Sequence, residues 1–434
     1  MKIKKKVLIS VMLIATVIMV WAGGQSDSGT AGRSAVISFW HWYIGSTEYQ
    51  INFNNQFERF KRANPDIVFE IEEVTNTSGG PSMATRIATA MAANDMPDIY
   101  QYWGGVLILT QASQGVLMDV SEYLRATRNF KYEEIDQSAW DYYTINGVIR
   151  GFPSTGFIPG WFCNKELFER FNLDYPKTMN DVYEISKVFT ANGIIPLAQA
   201  SSGGNPGHFF LSELTHQYPG GTRAIQELGR TSQFNTDSLV KAAQTILDLR
   251  AAGAFPQDTV ANGDWTPSFE LYNGERAAML YTNSWAYSNM RDEILNKSVL
   301  IDVPAVVNGG TINPNDFVQS SANDGWCVSQ SGWSNPAKQQ QIVRIMDWIL
   351  SDELTQSLVD GGLVHVKTTN IKYDSRIMSM VDDFYREREK VPAHFSTMRN
   401  IDVYRSFTRN LDLLFAGSIS AIEYADLVQR AFEQ

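Results

Sequence analysis

Hydrophobic and polar positions change their spacing along the chain, from a period of two to a period near 3.6 and back. Residues Ile67–Val74 alternate apolar and acidic side chains, which predicts a half-buried strand. Residues Thr47–Ala63 repeat three phenylalanines at helical spacing and run into an Asn-Pro pair, which predicts a helix that ends there. Thr178 and Asp181 have the spacing of a capping box, with Asp in the place usually held by Glu or Gln.

The same patterns predict further elements on both sides of these. Predicted strands are Val36–Tyr43, Asp98–Tyr102, Ile195–Gln199, Ala277–Tyr281 and Trp326–Ser329. Predicted helices are Pro81–Asn94 with proline in its first turn, Lys165–Phe171, Asp181–Asn192, Ser238–Ala252 and Asn335–Leu350. Strands that alternate with helices indicate an α/β fold with mainly parallel sheets, and a chain of 434 residues is expected to divide them between two lobes.

The N-terminus predicts export. Four lysines precede an apolar run from Val7 to Val20, which is too short to span a bilayer, and Val20-Trp21-Ala22 has the small or modest residues of a cleavage site. We expect a cleaved signal peptide at 1–22, a flexible Ser/Gly-rich leader at 23–34 and a periplasmic protein. No cysteine follows the apolar run, so a lipid anchor is not indicated.

Charge and motifs exclude several classes of function. Without the four signal lysines, 32 basic residues face 47 acidic ones, a balance unsuited to nucleic acid or an anionic membrane. The sequence has no P-loop, GxGxxG, GxSxG, HExxH or EF-hand pattern, and its five histidines lack zinc-site spacing. We therefore expect no metal or cofactor and no catalytic residue. Acidic residues are so numerous, however, that their number alone cannot exclude the pair of carboxylates that a glycosidase uses.

Aromatic residues point to a binding function. Several tryptophans fall at predicted strand ends or in loops, namely Trp40, Trp42, Trp103, Trp161, Trp285 and Trp326. Ligands of open α/β sheets bind beyond the carboxyl ends of the strands, where an indole can cover the apolar face of a sugar ring. His41, Asn205, His208 and Asp324 are candidate partners for sugar hydroxyl groups.

The order of motifs resembles the extracellular solute-binding proteins, family 1, of ABC importers, the sugar-binding family that includes maltose-binding protein. Eight segments carry the resemblance, in order along nearly the whole chain: Ile37–Tyr43 (ISFWHWY), Phe57–Glu72, Met91–Gly105 (MAANDMPDIYQYWGG), Asn146–Gly156, Trp161–Asp181, Gly263–Ala286 (ending in TNSWA), Asp324–Ser331 (DGWCVSQS) and Asp347–Gly362.

The resemblance implies two α/β lobes that close on a ligand by a hinge of several segments. It places the N-terminal lobe at 35–157 and 325–367 and the C-terminal lobe at 158–324 and 368–434. It also implies a carbohydrate ligand, permease subunits of an ABC transporter as partners, and a monomer.

Ligand contacts carried over from the family fall in three regions. The first lobe supplies Trp40, His41 and Tyr43 at the end of the first strand, with Tyr102 and Trp103 after the next. The second lobe supplies Trp161, Asn205, His208 and the stacking residue Trp285. The remaining contacts are Asp324 and Trp326 at the return crossing, and Tyr404 near the C-terminus.

The chain departs from the family at two places. Ile44 and Gly45 stand where some members have acidic residues, so the resemblance does not imply the contacts of a maltose site. Cys163 replaces a usual aromatic residue, and Cys327 lies in the return crossing. We hypothesise that, if the two crossings lie side by side, export permits a disulfide between these cysteines.

Two other classes of function stay open at this point. One is a secreted carbohydrate-active enzyme, which turnover of an oligosaccharide would identify. The other is a binding protein of the same fold for a polyamine, which needs converging carboxylates, or for an anion, which needs converging arginines. The abundance of aromatic residues favours a sugar over both.

Overall fold

The computed structural model describes residues 35–74, 82–261, 265–307, 310 and 312–434 of the chain. The predicted signal peptide, the leader and the proline at the start of the second predicted helix lie outside these residues. The described part folds into two α/β lobes, as expected from the alternation of strands and helices.

The strands are β1 Val36–His41, β2 Val68–Glu73, β3 Ile99–Trp103, β4 Thr144–Ile145, β5 Val148–Ile149, β6 Phe152–Pro153, β7 Thr155–Phe157, β8 Pro159–Asn164, β9 Ile195–Ala198, β10 Ala277–Asn283, β11 Ser298–Ile301, β12 Phe317–Gln319, β13 Ser321–Ala322, β14 Asp324–Val328, β15 Val364–His365 and β16 Glu389–Val391.

The α-helices are α1 Glu48–Ala63, α2 Met83–Ala93, α3 Leu109–Ser113, α4 Val120–Ala126, α5 Gln137–Tyr143, α6 Lys165–Arg170, α7 Met179–Ala191, α8 Gly207–His216, α9 Gly221–Thr231, α10 Asp237–Ala251, α11 Trp265–Asn273, α12 Asp292–Asn296, α13 Gln330–Trp333, α14 Pro336–Ile349, α15 Asp352–Asp360, α16 Arg376–Tyr385, α17 His394–Thr397, α18 Ile401–Phe415 and α19 Ala421–Phe432. Short 3₁₀ helices are η1 Gly105–Ile108, η2 Tyr132–Glu134 and η3 Ser284–Asn289.

Each lobe is built on one main sheet. The first sheet has the order β2-β1-β3-β14-β6, and the second has the order β11-β8-β10-β9. β1 runs parallel to β2 and β3, but β14 runs antiparallel to β3 and β6. In the second sheet, β8 runs antiparallel to β10 and β11, and only β9 and β10 are parallel.

The prediction of mainly parallel sheets is therefore wrong. Parallel neighbours need a crossover helix between them, and the β1–α1–β2 stretch has one. β14 instead enters the first sheet directly from β13, with only Asn323 between them, and no local hydrophobic pattern reports the direction of such a strand.

A third, small sheet lies where the chain passes between the two main sheets. β7 pairs with both β13 and β15, all antiparallel, so the order is β13-β7-β15. β7 separates β6 of the first sheet from β8 of the second, and β13 directly precedes β14. We call these three strands the crossing sheet.

Local signals set several helix ends as predicted. Thr178 caps α7, where the amide of Asp181 donates to Thr178 Oγ1 over 3.2 Å and the amide of Thr178 donates to Asp181 Oδ2 over 2.8 Å. The predicted capping box is therefore confirmed. The helix predicted from Thr47 is α1, which buries Phe53 and Phe57.

The two cysteines are free and fully buried in different sheets, Cys163 in β8 and Cys327 in β14. The hypothesis of a disulfide between these cysteines is wrong, because both thiols are free and lie on strands of two different main sheets. Burial raises the pKa of both thiols, which keeps them protonated and unreactive.

We expect iodoacetamide to leave both cysteines unmodified in the native protein and to alkylate both after unfolding without a reductant. Intact mass measured after each treatment checks this. A denatured protein that gains mass only after reduction would contradict the assignment of two free thiols.

Candidate functional site

The aromatic row at 40–43 lies at the end of the first strand, where successive side chains point to opposite faces of the sheet. Alternate residues are buried in the first lobe: Ile37, Phe39, His41 and Tyr43. Trp40 and Trp42 lie on the opposite side of the backbone and are half-buried. The row is therefore not one surface, as its members divide between the core and a partly exposed face.

His41 packs in the core of the first lobe, and its Nδ1 has no partner among the described residues. Its ring is 1% exposed and lies 5.2 Å from the ring of Phe53 and 5.7 Å from that of Phe39. Burial, with a smaller contribution from the charge of Lys61, lowers its pKa to about 4. Strand parity accounts for this placement, because His41 shares its face of β1 with Phe39.

Trp326 is also a core residue. It lies in the middle of β14 rather than at a strand end, is 1% exposed and stacks on Phe39 and Phe53 at 5.1 and 6.0 Å. The ring of Trp161, in the middle of β8, is fully buried against Phe210 and Tyr281. Both rings thus pack inside their lobes, and the indole N–H of Trp161 has no partner among the described residues.

A pair of stacked indoles marks the partly exposed face of the first lobe. Trp42 and Trp103 are half-buried, with ring centroids 4.8 Å apart and planes inclined by 23°. The amide of Trp42 donates to Gln101 Oε1 over 2.9 Å, which fixes the segment beyond β1 against β3. Trp42 was not among the predicted contacts, and the alternation of β1 is the sequence signal that separates it from His41 and Tyr43.

Tyr43 and Asp324 come together beside this pair. Thr155 Oγ1 donates to Asp324 Oδ1, and the Tyr43 hydroxyl has no partner among the described residues. Burial raises the pKa of Tyr43, and the neighbouring carboxyl of Asp324 raises it further. Burial also raises the pKa of Asp324 to about 6, against hydrogen bonds from Thr155 and Trp42.

An aromatic cluster of the second lobe surrounds Trp285. The half-buried indoles of Trp285 and Trp265 meet edge to face, with centroids 5.1 Å apart. Phe209 lies 5.4 Å from Trp285, and Phe157 of the crossing sheet lies 6.2 Å from it. Trp265 was not predicted, because it starts α11 and its distance to Trp285 depends on the tertiary fold.

His208 and Asn205 lie at the start of α8, next to that cluster. The ring of His208 is 7% exposed and packs against Phe209 and Phe395. Burial lowers its pKa to about 3, and its Nδ1 has no partner among the described residues. Asn205 is half-buried in a short loop, where its backbone and that of Ser202 bond each other in both directions.

Tyr102 and Tyr404 are brought together from distant parts of the sequence. α18, which carries Tyr404, packs against η1 just beyond β3. The pKa of Tyr102 is raised to about 12, mainly by burial, with smaller contributions from Cys327 and Tyr404. Tyr142 lies beside them, and a Cβ atom on Gly105, whose φ is +57°, would come within 2.5 Å of its ring.

The predicted residues thus form two groups. Tyr43, Tyr102, Trp103 and Asp324 surround the carboxyl ends of β1 and β3, while Asn205, His208 and Trp285 surround the start of α8 and the end of β10. Trp40 is half-buried, but it shares no ring contact with the Trp42–Trp103 pair. Among the residues that the structure describes, no group of three or more His, Cys, Asp or Glu side chains has the arrangement of a metal site.

Buried histidines occur in both lobes. Burial lowers the pKa of four of them, to about 4 for His41 and His216, to about 3 for His208 and well below the usual value for His394. Burial has the opposite effect on two carboxyls and raises the pKa of Glu213 to about 8 and that of Asp324 to about 6. The folded protein therefore keeps these histidines neutral down to about pH 4, and it keeps Asp324 protonated up to about pH 6 and Glu213 up to about pH 8.

We expect stability to fall as the pH drops from about 6.5 towards 4.5. The unfolded chain protonates its histidines below about pH 6.5, whereas the folded protein does not until nearer pH 4. Glu213 and Asp324 have the opposite effect, because their raised pKa values in the folded protein mean that they release protons on unfolding. The net result is that unfolding takes up about two protons. Urea midpoints at pH 6.5, 5.5 and 4.5 measure the effect, and a constant or rising midpoint would contradict it.

Comparison with known proteins agrees with the geometry. Residues 46–355 match the family model of the bacterial extracellular solute-binding proteins. A multiple sugar-binding protein of Streptococcus mutans is 23% identical over 249 residues, 54% of each chain. A protein of Pyrococcus horikoshii, described as an uncharacterized ABC transporter extracellular-binding protein, is 26% identical over 263 residues, 58% of each chain. The chain thus spans little more than half the length of these curated relatives.

A solved structure supports the same relationship at the level of the fold. It comes from work on xylan utilization by Caldanaerobius polysaccharolyticus and superposes with a TM-score of 0.77 at 22% identity, covering 91% of this chain and 99% of that one. In the described residues, no helix is both long enough and apolar enough to cross a membrane. With the family model matched over most of its length and the two-lobed fold in agreement, the chain belongs to the bacterial extracellular solute-binding protein family.

Proposed function

We propose that the protein binds a neutral carbohydrate, a mono- or oligosaccharide, between its lobes and delivers it to the permease of an ABC importer. The curated relative in Streptococcus mutans is described as a multiple sugar-binding protein, and the similar structure comes from work on xylan utilization. Both support a sugar as ligand, and neither identifies the sugar of this chain.

The observation that carries the proposal is a pair of half-buried indoles in each lobe. Trp42 and Trp103 lie on the first lobe, and Trp265 and Trp285 on the second. Half-buried indoles offer a flat apolar face together with an N–H donor, a combination that suits the C–H face and hydroxyl rim of a sugar ring. In each pair, one indole covers part of the other. Each pair therefore leaves only a limited area of exposed indole, enough for one sugar ring.

The polar groups beside these indoles suit a neutral ligand better than a charged one. A polyamine needs converging carboxylates, whereas Asp324, which already accepts a hydrogen bond from Thr155, is the single carboxyl among the predicted contact residues. The Tyr43 hydroxyl and His208 Nδ1 are free to bond ligand hydroxyl groups. These contacts support a sugar over a polyamine.

We infer that the crossing sheet is the hinge. Its strands lie within a few residues of the lobe boundaries proposed at 157, 324 and 367. A sheet of three short antiparallel strands can bend at its connections while keeping each main sheet rigid. The ligand would favour the closed arrangement by its differential affinity for the two forms, and the permease would recognise that arrangement.

The remaining parts of the proposal concern the compartment and partners. Export through a signal peptide at 1–22 would place a free, monomeric protein in the periplasm, where it would carry the sugar to the transporter. The family is extracellular, in agreement with an exported location.

A thermal-shift screen against mono- and oligosaccharides, polyamines and anions tests the proposal. A sugar at 100 times its Kd should stabilise the protein by about 2.7 kcal/mol and raise the melting temperature accordingly. Chromatography of each stabilising oligosaccharide after overnight incubation distinguishes binding, which leaves it intact, from catalysis. Stabilisation only by polyamines or anions, or turnover of the sugar, would overturn the proposal.

A further inference from the structure

Asn283 ends β10, two residues before Trp285, and is fully buried. It holds the N-cap position of η3, where an asparagine side chain usually accepts a hydrogen bond from the next turn. Here its side chain makes no capping bond, and its backbone is extended, with φ of −117° and ψ of 163°. The amide is therefore not used for the local structure in which it lies.

Neither polar atom of this amide has a partner among the described residues. Burying an unpaired amide is unfavourable, so such groups are rare in folded proteins unless something else binds them. Asn273, a nearby buried asparagine, shows the usual structural use. Its Nδ2 donates to the carbonyl of Asn289 over 2.9 Å, and its Oδ1 accepts from the amide of Arg291 over 3.3 Å.

A second unpaired polar group lies on the neighbouring strand. Trp161 is opposite Tyr281 in the pairing of β8 with β10, and Pro159 is opposite Asn283. Trp161 and Asn283 therefore point to the same face of the sheet at diagonal positions, with about 7–8 Å between their Cα atoms across the two strands. The indole N–H of Trp161 is buried and has no partner either.

We propose that Asn283 is a specificity-determining residue of the ligand site. Its Nδ2 donates to one hydroxyl of the sugar and its Oδ1 accepts from a neighbouring one, while the indole N–H of Trp161 donates to a ligand oxygen. An amide that both donates and accepts suits a vicinal diol, whereas an ammonium leaves Nδ2 unpaired and a carboxylate leaves Oδ1 unpaired. This inference rests on the proposed function and adds the hydroxyl pattern that the site recognises.

The test compares two buried asparagines, Asn283, whose amide makes no hydrogen bond within the described residues, and Asn273, whose amide makes two. Asn283→Leu keeps the branching and the number of heavy atoms of the side chain and removes the amide, so we expect an unchanged or higher melting temperature without ligand and about tenfold or greater loss of affinity for the sugar found in the screen. Asn273→Leu removes bonds within the protein, so we expect a lower melting temperature and an unchanged Kd. Trp161→Phe keeps one aromatic ring and removes the N–H together with part of the indole, so its melting temperature is measured as well; it should weaken binding several-fold.

Isothermal titration with the sugar and its single-deoxy analogues completes the test. The wild type should lose affinity for the analogue that lacks a hydroxyl bound by Asn283, and the Asn283→Leu variant should bind that analogue and the parent sugar equally. An Asn283→Leu variant that binds like the wild type, or that melts at a lower temperature with unchanged Kd, would overturn this inference alone. A wild type that binds no sugar would overturn the proposed function and this inference with it.

Discussion

Replacement of Trp326 by alanine is expected to lower the free energy of unfolding by about 3–5 kcal/mol, as large-to-small changes of buried aromatic residues do. The indole is 1% exposed and lies nearly parallel to the rings of Phe39 and Phe53. Its removal leaves a cavity in the core of the first lobe that the strand β14 cannot fill. Chemical denaturation followed by circular dichroism measures the loss.

Trp326→Phe is the matched control, because it keeps an aromatic ring at the same position and should lose much less stability than the alanine variant. Affinity for the ligand, measured under conditions where each variant is folded, should stay within about threefold of the wild type. If Trp326→Ala kept its stability and lost affinity, Trp326 would be a ligand contact and its assignment to the core would be wrong.

Replacement of Trp285 by alanine is expected to weaken binding of the sugar by about 30-fold, which corresponds to about 2 kcal/mol for an aromatic contact residue. Trp285 is half-buried, and its edge-to-face contact with Trp265 leaves part of the ring exposed. The stability of the ligand-free protein should change much less than in the Trp326 variant. Isothermal titration and a melting curve of the same sample measure both effects.

Trp348 supplies the control for the loss of an indole elsewhere. It is half-buried in α14 and stacks on Phe60 of α1, with centroids 4.8 Å apart, in the first lobe. Trp348→Ala should lower stability and leave Kd unchanged. A Trp285→Ala variant that binds as tightly as the wild type would remove the stacking residue from the proposed site.

Local patterns predicted those features that depend on neighbouring residues alone. The capping box at Thr178 and Asp181 needs only residues three apart, and the helix α1 needs only one apolar face. Both could be predicted because the interactions that create them lie within one or two helical turns. The two-lobed fold was expected both from the strand–helix alternation in a chain of this length and from the resemblance, which depends on the order of many such elements.

The site was predicted only in part, for two physical reasons. The alternation of side chains along β1 decides whether His41 or Trp42 is buried. In a row of aromatic residues this alternation cannot be recognised, because every residue in the row is suitable for a core. The cluster of Trp265, Phe209 and Phe395 around Trp285 joins residues from separate elements. No local pattern reports such distances, which depend on how α8, α11 and α17 pack.

The direction of β14 shows the same limit at the level of the sheet. Its composition predicts a strand correctly, but its partners β3 and β6 come from a region more than a hundred residues earlier in the chain. Side chains alternate with the same period in parallel and antiparallel strands, so the pattern does not report the direction of β14. Only the path of the chain through the crossing sheet makes β14 antiparallel to β3 and β6.

The central claim is that a sugar binds between the lobes against the indoles of both. A crystal structure of the protein with the sugar that stabilises it most tests this directly. We predict a sugar ring on the exposed face of Trp285, hydroxyl groups within hydrogen-bonding distance of Asn283, and contacts to the Trp42–Trp103 pair from the other lobe. A sugar bound on the outer surface of one lobe, or a different solute between the lobes, would contradict the account.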